Sequence, residues 1–141
     1  MTLCIAAGGL VLALAVETFT LHWTHSVTRG IWWERWELSA DGLRPVEARI
    51  TGSGAGMEPP EGAILINGAW SYIPDLPPQH QVLLAASGAT AGGWTLCATG
   101  ICHDLGTDPG PPVRLWQAAS CDPGTFVEPR PAAAPRGLLS R

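Results

Sequence analysis

The chain has 141 residues, a formal net charge of −4, eight basic residues that are all arginine, and no lysine. That length suits one domain with a core of its own. The scattered arginines form no basic run or stripe of the kind that holds nucleic acid. Thirteen prolines and seventeen glycines cut the chain into short segments, many of them period-2 and rich in tryptophan, valine and threonine. With no amphipathic helix and no internal repeat, the expected fold is all-β: a compact antiparallel β-sandwich or barrel of about eight to ten short strands.

Residues 3–16, LCIAAGGLVLALAV, carry the first signal. They are too short to cross a bilayer, which takes about 20 apolar residues, so no membrane span is expected. One reading is a signal peptide cleaved at Ala13-Leu14-Ala15, but no Lys or Arg precedes the apolar run and Gly8-Gly9 breaks it. The favoured reading is a β-hairpin turning at Gly8-Gly9, with Leu3 opposite Leu14 and Ile5 opposite Leu12. Both arms are apolar on both faces, as buried central strands would be. Retention of the segment favours the cytoplasm, and cleavage after residue 15 would favour the periplasm.

Residues 19–38, FTLHWTHSVTRGIWWERWEL, hold four of the seven tryptophans. Phe19, Leu21, Trp23 and Val27 alternate with polar residues, and so do Trp32, Trp36 and Leu38, which predicts two half-buried strands. A four-residue loop at Thr28–Ile31 would set Val27 against Trp32, Trp23 against Trp36 and Leu21 against Leu38. That register makes His25 and Glu34 an inward-facing cross-strand pair. Such a pair is a candidate ligand or proton-transfer site. It is more often a buried polar pair that satisfies itself. A triad of Ser26, His25 and Glu34 is excluded by geometry, because adjacent strand residues point to opposite faces.

After a turn at Ser39–Gly42, with Gly42 left-handed, Leu43–Thr51 reads as a strand. Val46, Ala48 and Ile50 should face inward, with Ala48 beside Glu34, while Glu47 and Arg49 face out. The stretch GSGAGMEPPEG follows, with Gly52, Gly54, Gly56 and Met57 at its head. It is a glycine-rich turn rather than a phosphate loop, because Glu58-Pro59-Pro60 stands where an anion-holding helix would begin. Further strands are expected at Ala69–Ile73, Gln81–Ala86, Trp94–Ala98, Ile101–His103 and Val113–Ala119.

Cys97 and Cys102 flank a tight turn at Thr99-Gly100. With His103 they could suggest zinc, but the set lacks a fourth ligand. A disulfide between Cys97 and Cys102, or two free thiols used as small core residues, are the alternatives. Cysteines 4, 97, 102 and 121 allow three pairings if oxidised. No cofactor and no metal are expected. The domain is placed at residues 1–127, with residues 128–141 a flexible Pro/Ala/Arg tail.

WTHSV at Trp23–Val27, Glu34-Arg35-Trp36, Glu47-Ala48-Arg49, GSGAGMEPPEG at Gly52–Gly62 and Gly93–Cys97 through Cys102 together resemble the bacterial family catalogued as domain of unknown function 1850. The resemblance covers roughly residues 3–105. It implies a small β domain often encoded beside TAXI-type tripartite substrate-uptake transporters, with strand-like sequence at its N-terminus. No catalytic activity or ligand comes with it. The expectation is a non-catalytic accessory domain that binds a transporter component or a small molecule. Its candidate site residues are His25, Glu34, Trp23, Trp36, Ser26, Glu47 and Arg49. The alternative is an enzyme that uses His25 and Glu34 as an acid/base pair.

Overall fold

Two glycines at positive φ, Gly8 at 56° and Gly9 at 84°, fold the N-terminal apolar run back on itself. The resulting hairpin, β1 (Thr2–Ala7) and β2 (Leu10–Ala15), has the expected register, Leu3 opposite Leu14 and Ile5 opposite Leu12. Only β1 is a buried central strand. β2 lies at a sheet edge, and its Leu10, Ala13 and Ala15 are exposed.

The computed structural model describes residues 1–24, 30–51, 59–87 and 93–121. Among these residues there are eleven strands and no helix. β3 (Thr18–Thr24), β4 (Ile31–Ser39) and β5 (Gly42–Thr51) follow the hairpin, then β6 (Ile64–Ile66), β7 (Ala69–Tyr72) and β8 (Gln81–Ala86). β9 (Trp94–Ala98), β10 (Ile101–Leu105) and β11 (Gly110–Ala118) complete the fold. All pairings are antiparallel. One sheet has four strands in the order β2-β1-β11-β8, and the other has seven in the order β10-β9-β3-β4-β5-β7-β6. β11 sits between β1 and β8 and so joins the first strand to the last among the described residues.

The sheets pack face to face as a sandwich. Leu3 and Ile5 of β1, Val82 and Leu84 of β8, and Leu115 of β11 meet the inward rows of β3, β4, β5 and β9 in a single apolar cluster. Aromatic rings dominate it: Phe19 stacks on Trp36 at 6.1 Å between centroids, and Trp23 contacts both Trp32 at 5.9 Å and Trp94 at 4.6 Å. Such pairs add about 0.5–1.5 kcal/mol each beyond the area they bury. Trp94 also donates its indole N–H to the carbonyl of Ala85 at 2.9 Å, tying β9 of one sheet to β8 of the other.

The pairing of β3 with β4 differs from expectation by four residues. Trp23 faces Trp32, Leu21 faces Glu34 and Phe19 faces Trp36. The pairing of His25 with Glu34 is therefore replaced by one of Leu21 with Glu34. Side chains repeat every two residues along a strand, so the apolar pattern rejects odd slips and is blind to even ones. Here the ring stacks and the neighbouring strand settle the register. β9 holds β3 on its other side through Leu21 opposite Leu96, and Leu38 N–H donates to the Glu17 carbonyl at 2.9 Å.

The second correction is at Val46. The β4–β5 ladder slips between Arg35 and Trp36, where Arg35 faces Glu47 but Trp36 faces Pro45. Val46 is the extra residue of this bulge and leaves the core, while Pro45 is buried in its place. A bulge also suits proline, which has no N–H for the ladder. Ala48 and Ile50 point inward as expected, and Ala48 is the direct neighbour of Glu34. Gly42 has φ of 125°, and Leu43 beside it exchanges backbone hydrogen bonds with Gln79 at 2.8 and 2.7 Å.

All four cysteines are in disulfides, Cys4–Cys121 and Cys97–Cys102. Cys97 and Cys102 are directly opposite across β9 and β10, turned by Thr99 and Gly100 at φ 51° and 80°. Each thiol of that pair is bonded to the other, so the zinc alternative fails for them. No helix among the described residues is long and apolar enough to cross a membrane. The glycine-rich turn at Gly52, Gly54, Gly56 and Met57, the residues His25 and Ser26, and the tail at 128–141 lie outside the described residues.

Candidate binding face on the seven-stranded sheet

Alternation along β4 sorts its side chains into two sets. Trp32, Glu34, Trp36 and Leu38 point into the sandwich and are buried. Trp23 and Trp36, both candidate ligand contacts from the sequence, are core residues packed on other rings. Glu34 joins them at 1% exposure and is the buried charged residue of the described chain. Trp36 donates its indole N–H to Glu34 Oε1 at 3.2 Å. A carboxylate taken out of water needs such donors, since transfer without hydrogen bonds costs several kcal/mol.

The opposite set, Ile31, Trp33, Arg35 and Glu37, lies on the outer face. Across from it stand Glu47 and Arg49 of β5, with Ser71 of β7 one strand further on. Arg49 faces Trp33 directly, and its guanidinium lies 4.8 Å over the Trp33 ring. The same guanidinium grips Glu47 Oε2, with Nε at 2.8 Å and Nη2 at 2.7 Å. Arg35 approaches the other carboxylate oxygen of Glu47 at 3.5 Å and Glu37 at 3.7 Å. As surface ion pairs these add at most about 1 kcal/mol each to stability. Their effect is positional: a planar cation is held over an indole, with donors left over for a partner.

Two open grooves meet in this cluster. One, of about 550 Å³, is lined by Ile31, Trp33, Glu47, Arg49, Thr51, Ile66 and Ser71 among others. The second, of about 660 Å³, runs from Arg35, Val46 and Glu47 past Ser71 and Tyr72 to Ile64, Ile73 and Asp75. Glu47 and Ser71 line both. Neither groove is lined by Glu34, Trp23 or Trp36. Exposed apolar side chains rim the face: Ile31, Ile64, Ile66 and Ile73 are each about half exposed or more.

Of the seven candidate site residues, the structure brings Glu47 and Arg49 together and puts Glu34, Trp23 and Trp36 in the core. The sequence reading missed Trp33, Arg35, Ser71 and the β6 isoleucines. Trp33 and Arg35 were legible as the outward set of β4. The β6–β7 hairpin also had a signal in Asn67-Gly68, a pair suited to a tight turn and found at φ 51° and 81°.

A third groove, at the end of the sandwich, is lined by Leu10, Leu12, His103, Asp104, Asp108 and neighbours. Thr95 donates to Asp104 Oδ1 at 3.0 Å beside it. Among the described residues no three His, Cys, Asp or Glu side chains gather as metal ligands.

Comparison with known families gives one match. The model described as Domain of unknown function (DUF1850) covers residues 19–105, more than half of the chain, from the first core strand of the large sheet to the end of β10. No curated protein and no solved structure is similar enough to match. The chain belongs to the DUF1850 family.

Proposed function

We propose that this is a non-catalytic binding domain, accessory to a tripartite substrate-uptake transporter, whose working surface is the outer face of β4, β5 and β7. The observation that carries the reading is the Trp33–Arg49–Glu47 stack, which sits where two grooves meet. Tryptophan and arginine dominate the energetics of protein interfaces, and a partly exposed pair ringed by isoleucines is a surface built for contact. The grooves lie open along the face, which suits a protein partner better than an enclosed small molecule. Support for a non-catalytic role comes from Glu34, the acid/base residue of the enzyme alternative, which is 1% exposed and lines neither groove.

The test is binding of the purified domain to the purified substrate-binding subunit of a TAXI-type transporter from the same host, followed by biolayer interferometry. Saturable binding is expected. Trp33→Ala and Arg49→Ala should each weaken it about tenfold or more, the effect of removing an interface hot spot. Absence of binding, or unchanged wild-type affinity in both variants, overturns the reading.

A further inference from the structure

We infer that the working form of this domain keeps residues 1–15 and is oxidised at both cysteine pairs, so that it acts in an oxidising compartment. Residues 3–16 have the composition of a signal-peptide core, yet β1 lies in the interior of the small sheet. It pairs with β2 on one side and with β11 on the other, from Thr2 opposite Ala118 to Ala6 opposite Arg114. Leu3, Cys4 and Ile5 are all 0% exposed. Cleavage after Ala15 would remove two of the four strands and uncover Leu115, which faces Ile5.

Cysteine pairing gives the second, separate argument. Cys4 bonds to Cys121 across 117 residues, and Cys97 bonds to Cys102. With residues 1–15 present, all four cysteines are paired and none is left over. Without them Cys121 loses its partner and an odd thiol remains, an arrangement that exported domains avoid. Two complete pairs in a small domain belong to an oxidising environment, since reduced thiols are the rule in the cytosol. The cytoplasmic location favoured by the sequence reading therefore gives way. The apolar run is a buried strand that only resembles a cleavable leader.

The experiment is intact-mass analysis and non-reducing peptide mapping of the full-length protein from its own host, lysed in N-ethylmaleimide. The expected product begins at or before Leu3, carries no maleimide until it is reduced, and takes up four afterwards. Its map should contain the linked peptides Cys4–Cys121 and Cys97–Cys102. A mature N-terminus at Val16 overturns retention. Four thiols blocked at lysis overturn the oxidising compartment. Linkage of Cys4 to Cys97 or Cys102 overturns the pairing.

Discussion

Trp36 donates its indole N–H to the Oε1 of Glu34, two residues earlier on the same strand, and both side chains are buried. The two residues face the same way because strand side chains alternate. One therefore serves as the other's hydrogen-bond partner inside a core made largely of rings and aliphatic chains. A buried bond of this kind has a measurable coupling. A double-mutant cycle of Glu34→Leu and Trp36→Phe in urea should give about 1–3 kcal/mol, the range for a buried donor deprived of its acceptor. Glu34→Gln keeps an acceptor oxygen and should cost less than Glu34→Leu. Zero coupling would mean that the two side chains do not interact.

The tryptophans divide by face, and so should the effects of removing them. Trp36→Ala empties part of the core and should destabilise by about 3–5 kcal/mol. Trp33→Ala, on the outer face, should change stability by less than about 1 kcal/mol while weakening binding. Chemical denaturation of both variants checks the division. Equal destabilisation would place Trp33 in the core.

The two disulfides should differ in weight, because a cross-link stabilises according to the loop it closes. Replacing both Cys4 and Cys121 with serine opens a loop of 117 residues and should cost about 5 kcal/mol on the chain-entropy estimate. The pair Cys97 and Cys102 closes a five-residue separation within a hairpin and should cost about 2 kcal/mol. Thermal unfolding of the two double variants would rank them. The reverse order would contradict the account.

Gly42 has no room for a side chain. Its φ is 125°, and a Cβ there would lie 2.8 Å from the carbonyl carbon of Gln79. Gly42→Ala should therefore destabilise by about 1–3 kcal/mol, as strained backbone positions do, whereas Gly8 has open space around it.

These contrasts also show what could be read from the chain alone. The N-terminal hairpin was legible down to its register, because a Gly-Gly turn allows little freedom in how the arms meet. The neighbourhood of Glu34 and Ala48 was legible from alternation. The His25–Glu34 pair was not, since alternation cannot distinguish registers that differ by four residues. The missing information was in the third dimension: which rings stack, and that β9 flanks β3. The bulge at Val46 leaves no mark in hydrophobic pattern, and it is what brings Val46 and Glu47 to the same groove. The binding face itself was half visible. Glu47 and Arg49 read as outward from alternation, whereas Trp33 sits between inward Trp32 and Glu34 and is set apart from the core tryptophans by position alone.

The central claim is that the domain works through the outer face of β4, β5 and β7. The most direct measurement is in vivo photo-crosslinking with a benzophenone amino acid placed at Ser71, which lines both grooves, or at Ala13, exposed on the far sheet. The account predicts a discrete crosslinked product to a transporter component from position 71, its loss when Arg49→Glu is added, and no such product from position 13. No product from position 71, or the same product from both positions, would contradict it.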